Sequence, residues 1–456
     1  MKKKILFIVF AVFMFMPYIV YGKSVVVGGT TVDGSNVAGV TFNSGTDTLT
    51  LNNFVGEKIE FKDFDENTNI TINIKGTNII TGPGYTENNN AIYANSDVNF
   101  IFNGEENSSL KITKAYNAIY IGRGNITFNK VNLLFDDISY CASYIYYKGN
   151  ITVIDSKIKT SDTVYGLNTN GGNISVKNSK LDFDKASYIL YAAAGSLNID
   201  NTEITAKDCV NYGIITDNES KDASIFKDSK IKIDGAQYGV YAYDGYKFIN
   251  STLDFNNVDY GFYIRDYYEN DISVIFENST VKLNDFDEGF WFKNADVIMN
   301  NSKLNLKSER DNSYGIYNEN KKVIFNNSEA DIDVTGPAII IYSEEEPENL
   351  VEINGDSYLE DSTIGSRVYK DGEDYYLVLG KYIDPSEVND YNKIEDASSN
   401  KVVILLKKAE ENVIPEEKTE NPETVDNISK YILTLLISSI IMGINIVSIK
   451  SKEKEN

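Results

Sequence analysis

Apolar and polar residues alternate along most of this chain, in short bursts that keep one order. In Asn178-Ser179-Lys180-Leu181-Asp182-Phe183 a polar pair precedes strict alternation, the two-residue period of a strand with one buried face. Variants recur at Asn201-Thr202-Glu203-Ile204, Asp228-Ser229-Lys230-Ile231, Asn250-Ser251-Thr252-Leu253, Asn278-Ser279-Thr280-Val281 and Asn301-Ser302-Lys303-Leu304, with weaker copies starting at Asn129, Asp155 and Asn327. Two further phrases accompany them. One is aromatic, as in Asn117-Ala118-Ile119-Tyr120, Tyr188-Ile189-Leu190-Tyr191, Tyr238-Gly239-Val240-Tyr241, Tyr260-Gly261-Phe262-Tyr263 and Tyr314-Gly315-Ile316-Tyr317. The other follows glycine, as in Gly124-Asn125-Ile126-Thr127-Phe128, Gly149-Asn150-Ile151-Thr152-Val153 and Gly172-Asn173-Ile174-Ser175-Val176.

Three strand phrases in fixed order, returning every 25 or so residues (roughly), are the signature of a solenoid. The predicted fold is all-β: a right-handed parallel β-helix with three sheets, right-handed because parallel crossovers take that hand. A single coil cannot bury its own apolar face, so stability has to come from stacking. The repeats are expected over 90–354. Residues 23–89, with longer and less regular strands, read as an N-terminal cap merging into the first coils. Residues 355–406, with Asp371-Gly372 between tyrosine-rich strands, read as a C-terminal cap containing a hairpin.

The two ends carry a different pattern. Residues 1–22 combine Lys2, Lys3 and Lys4 with an apolar run and small residues near Gly22, and are expected to be a secretory signal peptide. After an acidic, proline-bearing linker at 407–427, residues 428–449 are apolar for about the thickness of a bilayer, and 450–456 are basic. This predicts a transmembrane helix with a cytoplasmic tail.

Two stretches carry family likenesses. Phe42 to Asn53, Ile72 to Ile80 and Ala91-Ile92-Tyr93 resemble the opening of bacterial surface proteins of the pectin-lyase-like, carbohydrate-binding β-helix group. The resemblance implies the fold and a carbohydrate-related role. Asn421-Pro422-Glu423-Thr424-Val425-Asp426-Asn427, followed by an apolar span and a basic tail, resembles the cell-wall sorting signal of Gram-positive surface proteins. Asn421, Pro422 and Thr424 match that signal, whereas Val425 stands where it normally has glycine, so wall attachment and retention by the helix stay as alternatives.

Composition narrows the chemistry. The formal net charge is −24, and a surface of that sign is a poor partner for nucleic acid. The absence of histidine removes the usual general base and every Ser-His or Cys-His nucleophile. Asp136-Asp137 and the cluster Asp285, Asp287 and Glu288 are the nearest approach to paired catalytic carboxylates. Arg123, Arg265, Arg310 and Arg367 lie in no recognisable lyase motif. No enzyme is therefore expected. No cofactor is expected either; acidic runs such as Asp63-Phe64-Asp65-Glu66-Asn67 offer oxygens of the kind calcium takes, without the loop spacing of a known site. Cys141 and Cys209 each precede a tyrosine (Tyr144, Tyr212) by three residues. Aligned to one column three coils apart they would be separated by about 14 Å, against the limit of about 7 Å between Cα atoms for a disulfide. Both are expected to be free thiols.

The chain has 32 tyrosines, an unusual number. Alternation puts Tyr93, Tyr120, Tyr191, Tyr241, Tyr263 and Tyr317 on the face opposite Ile92, Ile119, Leu190, Val240, Phe262 and Ile316. If the latter fill the core, the former make an outward line of rings suited to sugar faces and hydroxyls. Rings that only stiffen a sheet are the competing reading. The Asn column (Asn129, Asn178, Asn201, Asn250, Asn278, Asn301, Asn327) is expected to be a turn and hydrogen-bond ladder. The expectation is thus a non-catalytic, surface-anchored β-helix that binds glycan or host material and reaches the membrane or, in the alternative, the cell wall through its C-terminal segment. An inert stalk and a polysaccharide lyase or hydrolase are the alternatives.

Overall fold

In a computed structural model, residues 22–218, 223–344, 350–361, 364–380 and 398–407 are described. The leader up to residue 21, the linker, Asn421, Pro422, Thr424 and the apolar segment 428–449 lie outside them. Among the described residues, no helix is long and apolar enough to cross a membrane. They form a parallel β-solenoid of about 12 turns.

One coil illustrates the rest. Ile174–Lys177 lies in one sheet, the chain turns at Asn178-Ser179, Lys180–Ala193 runs through a second sheet, and a return past Gly195 leads to Leu197–Asp200 in the next coil. Ile174 stands opposite Ile151 and Leu197, and Leu181 opposite Ile158 and Ile204, so like side chains stack along the axis. Ile174, Val176, Leu181, Phe183, Ala186, Leu190 and Ala192 fill the interior and are buried.

Among the described residues, hydrogen-bond continuity gives two sheets, of 14 and 23 strands, where three were expected. The reason is local. In most coils the Asn-Ser phrase and the aromatic phrase are one strand, bent at a single left-handed residue: Lys114, Asp137, Asp162, Lys185, Asn257 or Asp285, with φ between 53° and 61°, or Gly235 at 77°. A one-residue corner changes the strand's direction while its ladder continues on either side. Where more chain intervenes the strand divides, as between Lys303–Lys307 and Tyr314–Glu319.

The Asn column is a turn column. Asn178, Asn201, Asn250, Asn278, Asn301 and Asn327 all have φ of 46° to 50°, a region that Asn tolerates better than other non-glycine residues. Their amides bond from coil to coil, Asn201 Nδ2 donating to Asn178 Oδ1 at 2.9 Å and Asn178 Nδ2 to Asp155 Oδ1 at 3.0 Å. Asn129 does not belong: it is in register with Ile154, one residue early, and Lys130 takes the turn position with φ of 52°.

The neighbouring Ser column is buried and was not anticipated. Ser179, Ser251, Ser279, Ser302 and Ser328 accept the backbone N–H of the equivalent residue one coil earlier, at 3.0 Å from Ser156, Ser229 (3.2 Å), Ser251, Ser279 and Ser302 respectively. Each satisfies a buried donor that the turn would leave without a partner.

Antiparallel strands close both ends. Ser24–Val27 runs against Ile59–Lys62, and Val40–Asn43 against Thr48–Asn52. At the other end Gly365–Asp371 and Asp374–Gly380 form a hairpin around Gly372, while Lys401–Leu406 covers Glu329–Asp333. Such strands cover edges that would otherwise recruit another chain. Cys141 and Cys209 are free and buried. They do not share a column, because Tyr144 is in register with Tyr120 whereas Tyr212 is in register with Tyr188. Burial raises both thiol pKa values, that of Cys209 to about 12.

Candidate functional site

The aromatic phrase is where the solenoid departs from simple alternation. In Tyr238-Gly239-Val240-Tyr241 the two middle residues both turn inward, so the tyrosines three apart share the outer face, their centroids 5.2 Å from each other. Glycine suits the second position because space there is short. A Cβ on Gly239 would lie 2.6 Å from the carbonyl oxygen of Gly261, and one on Gly289 2.6 Å from that of Gly315.

Two columns of rings result. The first is continuous over Tyr116, Tyr140, Tyr165, Tyr188, Tyr212, Tyr238 and Tyr260, with centroids 4.3 to 5.3 Å apart. The second holds the residues expected from the sequence: Tyr93, Tyr120, Tyr191, Tyr241, Tyr263 and Tyr317, together with Tyr144 and Trp291. Asn168 and Ile215 interrupt it on either side of Tyr191. The first tyrosine of the phrase was missed from sequence because strict alternation would have sent it inward; the Tyr-x-x-Tyr spacing with glycine second was the signal available. Ile92, Ile119, Leu190, Val240, Phe262 and Ile316 are all buried, while the rings of the second column are half-buried, apart from the buried Tyr144.

Ring orientation decides what this face can present. Tyr212 and Tyr238 are within 8° of parallel at 4.9 Å, Tyr241 and Tyr263 within 3° at 5.2 Å, and Tyr263 and Trp291 within 4° at 4.2 Å. Stacked rings spend much of their faces on one another, leaving edges and hydroxyls to solvent. Burial raises the phenol pKa of Tyr238, to about 12, and that of Tyr241, so these hydroxyls stay neutral and act as hydrogen-bond donors and acceptors.

Carboxylates surround the rings. Glu60 lies beside Tyr93, Asp217 near Tyr191, Asp259 near Tyr238, and Asp287 and Glu288 near Tyr260. Arg310 binds Asp285 at 2.9 Å, Asp259 at 3.1 Å and Asp287 at 3.2 Å, and so ties up part of the suspected acid cluster. Asp136 pairs with Lys111 at 2.6 Å, and Asp137 is a strand corner. Among the described residues, no group of three or more Cys, Asp or Glu side chains is placed to hold a metal ion.

Comparisons with family models, with curated proteins and with solved structures find no match to this chain.

Two grooves lie elsewhere. One of about 410 Å³ runs beside Asn178, Lys180, Asn201 and Glu203, and another of about 530 Å³ beside Asn278, Asn301 and Asn327. Their walls are turn residues, several already hydrogen-bonded to their neighbours.

Proposed function

We propose that this chain is a non-catalytic, surface-displayed parallel β-helix of right-handed, pectin-lyase-like type, and that its aromatic face binds glycan. The signal peptide, the C-terminal transmembrane helix and the sorting-like motif would secrete it and hold it at a bacterial surface, with the solenoid outside. The observation that carries the reading is the double column of outward rings. It repeats a hydroxyl-bearing, partly apolar edge once per coil along the axis, which suits a polymer with repeating hydroxyl groups.

The stacking also suits a stalk, since rings packed on one another stiffen a sheet. Glycan-array binding by the full-length chain separates the two. Binding that is lost in the triple variant Tyr241→Ala, Tyr263→Ala, Tyr317→Ala supports the glycan reading. Absence of binding across a broad array, with the variant only lowering the melting temperature, favours the stalk. New reducing or unsaturated ends released from polygalacturonate would point to an enzyme instead.

A further inference from the structure

The first ring column has one substitution with a chemical character of its own. Glu288 stands in register between Tyr260 on the preceding coil and Tyr314 on the following one, in the place a tyrosine holds from Tyr165 through Tyr260. It is half-buried. Three residues on is Trp291, the only tryptophan of the chain, stacked on Tyr263 at 4.2 Å and facing Tyr317 at a wider 6.1 Å.

Among the described residues, Glu288 forms neither an ion pair nor a hydrogen bond, and the neighbouring strands' cations are engaged elsewhere. Arg310 is taken by Asp259, Asp285 and Asp287, and Lys293 by Glu319 at 2.5 Å. A carboxyl partly withdrawn from water without a counter-charge is costly, and its pKa is raised to about 7, chiefly by desolvation and then by Asp287. An incoming cation would relieve that cost. Aromatic rings around a carboxylate are also the surroundings in which an ammonium group is held, by charge and by cation–π attraction together.

We propose that Glu288, with Tyr260, Trp291 and Tyr317, receives the ammonium group of an amino sugar in a linear glycan lying along the ring columns. This rests on the glycan reading and adds the sign of the ligand's charge. Polyanionic glycans are disfavoured here, because Asp259, Asp287, Glu288 and Glu319 all lie close to the rings.

The test uses the full-length chain and glucosamine oligomers, with the matching N-acetylglucosamine oligomers as neutral partners, by calorimetry near pH 7, where both the carboxylate and the ammonium forms are populated. The deacetylated oligomer is expected to bind more tightly. Glu288→Gln, which keeps the shape, is expected to weaken it on the order of tenfold. The same change should leave the acetylated oligomer's affinity as it was, so the preference vanishes. An unchanged preference in Glu288→Gln, or equal binding of both oligomers by the native chain, overturns the assignment while leaving the glycan reading in place. If neither oligomer nor any array glycan binds, both fail. Binding of polylysine in place of every glycan would assign the face to a basic peptide and overturn the proposal.

Discussion

Replacing Asp244 by Asn should change how stability depends on pH. Asp244 is fully buried, together with Thr216, Ser224 and Tyr246. Its carboxyl accepts hydrogen bonds from Thr216 Oγ1 and, at 3.4 Å, from Ser224 Oγ; Tyr246 bonds Thr216 at 2.8 Å, and among the described residues the charged group acting on it is another carboxylate, Asp217. Among the described residues, no cation balances it. Desolvation therefore dominates, and its pKa rises from 3.8 to about 7. The folded state holds a proton that the unfolded state has released throughout that window. Stability from this group is thus full below about pH 4 and is lost as pH rises through about 7. A shift of about three units corresponds to about 4 kcal/mol. If the described solenoid melts as one unit, that is a shift of about 5 °C. The assay is a set of thermal melts of the native chain and Asp244→Asn from pH 5 to pH 8. The variant should gain on the native chain as pH rises, because its amide does not ionise. A difference between the two that stays constant across the range would mean Asp244 does not titrate there, and the argument from burial would be refuted.

Three other outcomes test the packing. Gly261→Ala would put a Cβ 1.9 Å from Leu283 Cδ2 and 2.5 Å from the Gly289 carbonyl oxygen, so denaturant melts should show a loss of about 1–3 kcal/mol or more. Ser279→Ala removes the acceptor of the Ser251 N–H at 3.0 Å and should cost about 1–3 kcal/mol in the same assay, the penalty of a stranded buried donor. Deleting Asn250–Glu277, one full coil, should leave a cooperatively melting solenoid, whereas deleting only Asn250–Tyr263 should not, since it joins mismatched faces; comparable melts for both would count against the stacking account.

The repeat was legible because each coil restates it. Alternation in Lys180-Leu181-Asp182-Phe183 places Leu181 and Phe183 inside, and they are buried. Two features broke the rule and escaped it. A single left-handed residue such as Asp285 carries a strand around a corner, so two sheets replace three; in sequence it looks like any polar residue on a strand. The paired inward residues Gly239 and Val240 bring Tyr238 to the same face as Tyr241, which a period of two cannot foresee. The Ser ladder was hidden for another reason. Its hydrogen bonds join residues 22 to 28 positions apart, and nothing within one copy of the phrase marks its serine as a partner of the next coil.

Ring stacking moves the site as well as supporting it. Where Tyr165 to Tyr260 are packed at 4.3 to 5.3 Å, the rings spend much of their faces on their neighbours, so this stretch offers a row of hydroxyls at the rise of the solenoid. The stacking is broken where Asn168 and Ile215 interrupt the second column, and it widens to 6.1 Å between Trp291 and Tyr317 near Glu288. A long ligand would then be held along its length by hydroxyls, which discriminate little among polymers of similar spacing. Its selectivity would come from the interruptions, and Glu288 is the one interruption that carries a charge.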